Sequence, residues 1–206
     1  IESATINLQS LFSYDNATGT IKGNDIYLST AGNLSLEGKI HGIDNLLISG
    51  LNITNNGNIT AQSGSGAIGI FLNNNSTGVR GDTKLDISGG NIDVQNSVNG
   101  VGVYISGGTL TSTSPTTISV GTNGIGLYAK NSDINLSDIT LNLNGDNALG
   151  IYFDGVSNFT GAGTFNIDGK NVVLYNMISG GVVNANINLG TVTTGSSYIF
   201  GSLIDQ

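Results

Sequence analysis

Acidic side chains are the groups best able to do chemistry in this 206-residue chain, which has 14 Asp and Glu, one His and no Cys. Asp82 and Asp86 lie close together, as do Asp133 and Asp138. Paired carboxylates can act as general acid and base on glycosidic bonds. None of these four has a basic partner at a useful spacing, and the single histidine, His41, lies in a turn-like stretch. We therefore expect no catalytic residue, no metal site and no cofactor.

Arg80, Gly81 and Asp82 form the sharpest binding signal, because Arg80 is the only arginine in the chain. The tripeptide Arg-Gly-Asp is the short motif that integrins read, in which a bound metal takes the carboxylate and an acidic pocket takes the guanidinium. A solvated turn is the alternative interpretation of the same three residues.

Composition excludes several classes of partner. Six Lys and Arg against 14 Asp and Glu give a net charge of −8 at neutral pH. Such a chain has no basic surface to neutralise phosphates, so we expect no nucleic acid partner, and an anionic membrane surface would repel it. No apolar stretch is long enough to insert into a membrane. Because 38% of the residues are hydrophobic, the chain should nevertheless fold.

Gly and Asn recur at short intervals along the whole sequence, which argues against helices. No stretch has apolar residues at i, i+3, i+4 and i+7 without an intervening residue that disfavours a helix. Apolar residues instead alternate with polar ones in short runs, for example at 139–143 and 165–167, each bounded by turn residues. The sequence therefore predicts an all-β protein.

Internal repeats set the architecture. One column of aromatic residues recurs at separations of 33, 24, 24 and 23: Phe71, Tyr104, Tyr128, Tyr152 and Tyr175. Tyr27 and Leu47 extend this column upstream and Phe200 extends it downstream. A second column contains Ile87, Leu110, Ile134, Phe159 and Val183, and a third contains Val120, Leu143 and Ile167.

Three short strands that recur every 23 to 25 residues predict a right-handed parallel β-helix, a solenoid of about eight coils. Residues 1–206 then form a single β-helix segment. The separation of 33 between Phe71 and Tyr104 exceeds the period by about nine residues, so we expect an inserted loop near 73–84. Insertions in a solenoid lie on its surface and often on its binding face.

Alternation assigns each side chain of the repeat to a face. Strict alternation directs Ile125, Leu127 and Ala129 to the core, together with their counterparts in the other repeats: Ile68, Ile70, Leu72, Val101, Val103, Ile105, Leu149, Ile151 and Phe153. Gly69, Gly102, Gly126 and Gly150 should then lie on the outer face beside the aromatic column.

The outward tyrosines are binding candidates. Tyr104, Tyr128 and Tyr152 could stack on sugar faces or anchor a protein partner. The alternative is structural, since stacked rings stabilise neighbouring strands and shield the bare backbone of adjacent glycines.

The repeats also resemble a known family. The units at 123–131 (Asn-Gly-Ile-Gly-Leu-Tyr-Ala-Lys-Asn), 100–104 (Gly-Val-Gly-Val-Tyr) and 147–153 (Asn-Ala-Leu-Gly-Ile-Tyr-Phe) are similar to the Asn-rich coils of type V autotransporter passenger domains, particularly those of large fusobacterial outer-membrane adhesins. The resemblance is strongest from 64 to 176. It implies a stalk or adhesive segment of a longer protein, exported to the surface of a Gram-negative bacterium.

These observations give three hypotheses for function. The first is a non-enzymatic extracellular adhesin fragment that attaches to a protein or glycan receptor on host cells or other bacteria. The second is a purely structural β-helical stalk. The third is a polysaccharide-degrading β-helix enzyme, which would need loops that line a groove with several carboxylates.

Overall fold

The computed structural model describes residues 2–10, 14–16, 19–30, 33–36, 38–49, 52–55, 57–61, 65–73, 83–178 and 181–204. Within these ranges the chain forms 23 β-strands and no helix, and the strands pair in parallel. In chain order the strands are β1 (Glu2–Ser10), β2 (Tyr14–Asn16), β3 (Thr20–Thr30), β4 (Asn33–Leu36), β5 (Lys39–Ser49), β6 (Asn52–Asn55), β7 (Asn58–Ala61), β8 (Ile68–Asn73), β9 (Thr83–Asp86), β10 (Asn91–Val94), β11 (Val101–Ser106), β12 (Gly108–Thr111), β13 (Thr116–Val120), β14 (Ile125–Lys130), β15 (Asp133–Asn135), β16 (Ile139–Leu143), β17 (Leu149–Asp154), β18 (Asn158–Thr160), β19 (Ala162–Ile167), β20 (Val172–Ile178), β21 (Val182–Val183), β22 (Asn186–Val192) and β23 (Tyr198–Ile204). The fold is a right-handed parallel β-helix, which confirms the predicted class.

Each turn of the β-helix contributes one strand to each of three faces. Face 1 stacks β8, β11, β14, β17, β20 and β23. Face 2 is the eight-stranded sheet of β2, β4, β6, β9, β12, β15, β18 and β21. Face 3 stacks β7, β10, β13, β16, β19 and β22.

The number of three-stranded turns is about five, running from β8 to β22, so the predicted count of about eight coils was wrong. The difference lies in β3 and β5, each 11 residues long, which run through the positions of face 3 and face 1 as one strand. The pairing of β3 with β5 has a register shift between Gly23 and Asp25. In later coils a turn joins the separate strands of face 3 and face 1 at this position.

The core is a set of inward columns, one residue per turn. On face 2, Leu85, Leu110, Ile134 and Phe159 lie in register and are at most 1% exposed. Leu85 therefore occupies the place predicted for Ile87, which is also buried but follows two residues later at the next corner. The third predicted column is confirmed, because Val120 pairs with Leu143 and Leu143 with Ile167.

The corner between faces 3 and 1 depends on asparagine. Asn99, Asn123, Asn147 and Asn171 have φ between 54° and 58°, the left-handed region that Asn tolerates better than other side-chain-bearing residues. The Asn147 Nδ2 donates to the Asn123 Oδ1 at 3.2 Å, so the corner carries its own amide ladder. At the same corner a Cβ on Gly145 would lie 2.0 Å from the backbone N of Thr122, which explains the glycine there.

The inserted loop predicted near 73–84 falls between β8, which ends at Asn73, and β9, which begins at Thr83. Residues 74–82, including Arg80, Gly81 and Asp82, lie outside the described residues.

Candidate binding surface

Four stacked rings run along the outside of face 1. Tyr104 is in register with Phe71 and Tyr128, and Tyr128 is in register with Tyr152. The ring centroids are 4.8, 4.7 and 4.9 Å apart from Phe71 to Tyr152, with interplanar angles of 17°, 15° and 28°. The three tyrosines predicted to be vertical neighbours are therefore stacked on one another.

The ring column is shorter than the sequence predicted. Tyr152 pairs with Asn176, whereas Tyr175 pairs with Ile151 and its ring lies 6.2 Å from that of Phe153. The backbone register here follows the corner asparagines, and the repeat at 171–176 carries its tyrosine one residue earlier.

Both predicted extensions of the column were also wrong. Phe71 pairs with Ser49, so Leu47 lies two residues away from the column, although it does pair with Tyr27. At the other end Asn176 pairs with Ser202, two residues beyond Phe200.

The glycines of the repeat face inward, which corrects their predicted place on the outer face. Gly69, Gly102, Gly126 and Gly150 are buried. A Cβ on Gly126 would lie 2.6 Å from the carbonyl O of Gly150 and 3.2 Å from a methyl group of Leu141, a core residue of face 3. Since both Gly126 and Leu127 are buried, the alternation breaks at this pair, and Ile125 turns outward with Tyr128.

Face 1 therefore carries a second outward column that is aliphatic. Its members are partly exposed and in register: Ile68, Val101, Ile125, Leu149, Val173 and Ile199. The first four of these were predicted to lie in the core, and that prediction was wrong. Ile199, in the last strand, is 55% exposed. We call the outer surface of face 1, with its aliphatic and aromatic columns, the apolar face.

The outer surfaces of the other two faces are mainly polar up to their last strands, where Val182 of β21 and Leu189 and Val192 of β22 are exposed. Face 3 carries Thr117, Thr140 and Thr164 in one outward column and Ser119, Asn142 and Asn166 in the next, in which Ser119 is only 7% exposed. The amide of Asn166 donates to Asn142 at 2.8 Å, and that of Asn142 donates to Ser119 at 3.1 Å. Face 2 displays Thr109, Asp133 and Asn158 in register, and Asn158 donates to Asp133 at 2.8 Å.

One charged pair borders the rings. Lys130 and Asp154 pair in register, each two residues after the tyrosine of its own strand. The Lys130 Nζ lies 3.1 Å from the Asp154 Oδ2. The Tyr128 hydroxyl donates to the same Asp154 oxygen at 3.4 Å. Burial, followed by the negative charge of Asp154, raises the pKa of Tyr128 to about 12. The phenol therefore stays a neutral hydrogen-bond donor at physiological pH.

Stacking limits what the rings can bind. Each face of the Tyr104 and Tyr128 rings is covered by the ring above or below, at a separation typical of offset stacking. A sugar ring therefore has no free aromatic face there, and the exposed parts are ring edges and hydroxyl groups. The predicted sugar-stacking platform does not fit these two residues.

Two of the described carboxylates named as candidates accept hydrogen bonds from neighbouring residues. Asp86 accepts from the backbone N of Ser88 at 2.9 Å, and Asp133 accepts from Asn158. A groove of about 270 Å³ on face 2 has Asp133 as its one carboxylate, beside Asn135, Asn158 and threonines. Among the residues with described positions, no three His, Asp or Glu side chains could hold a metal ion together.

Comparisons with known proteins give no relative. No protein-family model, no curated protein and no solved structure matches the chain. No helix in the described ranges could cross a membrane.

The aliphatic column is the feature that sequence reasoning missed. Its signal is a glycine at the same place in each repeat, between two aliphatic residues, as in Ile125-Gly126-Leu127. A glycine needs no room on the inner side, so it can share that side with the residue that follows it.

Proposed function

We propose that this chain is a non-enzymatic structural segment of an extracellular adhesin, a rod that holds other parts of the protein away from a bacterial surface. The observation that carries this proposal is the coil-to-coil pairing of outward side chains. Amide ladders run along face 3 and along the Asn corner, and stacked rings run along face 1. Groups that bond to their own neighbours in this way stiffen the rod.

The dimensions suit this role. At about 4.8 Å per strand, the eight strands of face 2 give a rod about 34 Å long. A solenoid lengthens by adding turns without changing its cross-section. The similarity of its coils to autotransporter passengers supports placing the rod outside a Gram-negative cell.

Removal of one whole turn tests the rod. Deleting residues 131–154 joins Lys130 to Gly155, and because Lys130 pairs with Asp154 the remaining turns stay in register. We expect cooperative melting and a particle about 4.8 Å shorter by small-angle X-ray scattering. As a control, a deletion of half this length should disrupt the register and prevent cooperative melting. Intact melting of both deletions would contradict the in-register rod.

Attachment to a receptor is the second candidate, favoured by the exposed edges of Tyr104, Tyr128 and Tyr152 beside Lys130 and Asp154. The partner would be a protein or glycan on host cells or other bacteria, and Arg80, Gly81 and Asp82 remain a predicted integrin motif. Beads coated with the purified chain distinguish the candidates. A rod alone gives no more attachment than beads coated with albumin.

Two variants assign any attachment that the beads show. Loss of cell binding in Asp82→Ala with unchanged melting would indicate the integrin motif. Loss of signal on a glycan array in Tyr128→Ala, with the fold retained, would indicate the ring edges. Release of reducing sugars from pectate or xylan would instead support the enzyme hypothesis, and we expect none.

A further inference from the structure

The apolar face is the one outer surface of this rod that its structural role does not explain. Solvated β-surfaces normally expose polar residues, and faces 2 and 3 do so with Thr, Asn and Asp in the turns that precede their last strands, β21 and β22. Face 1 instead exposes an aliphatic column and a ring column over successive turns. A contiguous apolar patch of this kind on a soluble surface marks an interaction site.

We propose that the apolar face pairs two copies of this chain side by side, sheet against sheet. The shape of the face selects this occupant. The backbone groups of its inner strands already form hydrogen bonds with a neighbouring strand on each side. A peptide therefore cannot pair with these strands as an added strand. The faces of Tyr104 and Tyr128 are covered, so a sugar cannot stack on them. A second sheet of the same dimensions can cover both columns at once.

Charge favours pairing through this face. The chain carries a net charge of −8, so two copies repel each other over most of their surfaces. The six strands of face 1 contain only Lys130 and Asp154 as charged residues, one of each sign, and these are paired with each other at the edge. The apolar columns thus lie on a surface with no net charge.

The area is sufficient for a specific contact. Six strands at about 4.8 Å by six residues at about 3.3 Å give roughly 570 Å² per copy, or about 1,140 Å² for both. A biological interface buries about 1,000 Å² or more, and an area below about 1,200 Å² is typical of a weak, reversible contact. The arrangement also matches the usual anatomy, because the exposed Asn corner on one side and Lys130 with Asp154 on the other form a polar rim. Pairing of identical faces closes as a two-fold dimer.

Sedimentation of the purified 206-residue chain tests the pairing. We expect a reversible, concentration-dependent dimer, weakened about tenfold or more by Ile125→Lys, which places a charge in the middle of the aliphatic column. The matched control is Thr140→Lys in the same turn, outward on face 3, which should leave the dimer unchanged. A chain that stays monomeric up to its solubility limit, or an Ile125→Lys chain that still pairs, would overturn the proposal.

Cysteine substitution locates the contact even if a lysine variant fails to fold. Because the chain has no Cys, each single-cysteine variant carries one reactive site. Ile125→Cys and Leu149→Cys should be joined into covalent dimers by a bis-maleimide that spans the ~10 Å between packed sheets. Thr140→Cys should not be joined. Equal cross-linking of all three, or cross-linking of Thr140→Cys alone, would show that another face pairs.

Discussion

Face 1 and face 3 are built from the same coils, with strands of similar length and parallel partners above and below, yet their outer surfaces differ. Face 3 presents Thr140 and Asn142 where face 1 of the same turn presents Ile125 and Tyr128. Both faces direct equally buried aliphatic columns inward, for example Leu141 and Leu127. The inner columns therefore hold the coil together, and the outer residues are free to differ for reasons other than folding.

The first prediction separates inner from outer residues within one strand. Leu127→Ala should lower the free energy of unfolding by about 2–5 kcal/mol, because it leaves a cavity in the core. Ile125→Ala, two residues earlier but outward, should cost less than about 1 kcal/mol. Denaturant unfolding at a concentration where the chain is monomeric measures both. Equal losses would restore strict alternation and remove the distinction between the apolar face and the core.

The second prediction concerns the glycine that breaks the alternation. Gly126→Ala adds a methyl group 2.6 Å from the carbonyl O of Gly150, so the stacked backbones must move apart. We expect a loss of about 1–3 kcal/mol. Thr140→Ala, which shortens an outward side chain on face 3, is the matched control and should cost about 0.5 kcal/mol. A neutral Gly126→Ala would mean that this side of the strand has room to spare.

Gly126 also shows which parts of this structure the sequence predicts and which it does not. The period of the repeat identified the β-helix and stacked Tyr104, Tyr128 and Tyr152 correctly, because one residue per turn falls in the same place. The side that each residue faces could not be read from alternation, since Gly126 and Leu127 share the inner side. Alternation therefore predicts the aliphatic column, from Ile68 to Leu149, in the core.

Register errors had a different cause. Spacing was counted between similar residue types, whereas the strands align through backbone hydrogen bonds and corner geometry. In the repeat that contains Tyr175, the corner Asn is in its usual position but the aromatic residue comes one position earlier. The backbone pairing sets the register there, so the Tyr175 ring does not lie in the ring column. Leu85 took the place of Ile87 for the same reason, since both are aliphatic and only the pairing with Leu110 distinguishes them.

The third prediction compares outward pairs on the two faces. Stacked rings contribute about 0.5–1.5 kcal/mol beyond the area that they bury. A double-mutant cycle on Tyr104 and Tyr128 should give a coupling in that range. The equivalent cycle on Thr117 and Thr140 of face 3 should give about 0.2–1 kcal/mol, the value for cross-strand polar pairs. No coupling between the tyrosines would mean that the ring column contributes nothing to the rod and exists only for contact with a partner.

The smallest effect lies at the edge of the apolar face, where Tyr128 meets Asp154. The pKa of Tyr128 is raised from 10.0 to about 12 in the folded chain, mainly by burial and then by the charge of Asp154. A raised pKa means that the folded state holds this proton more tightly, so its contribution to stability is complete below pH 10 and is lost as the pH rises towards 12. Absorbance of tyrosinate should show a late-titrating group that Tyr128→Phe removes and that Asp154→Asn shifts to lower pH. If Asp154→Asn leaves the late group in place, the charge of Asp154 does not raise this pKa, and the polar rim does not act on the ring column.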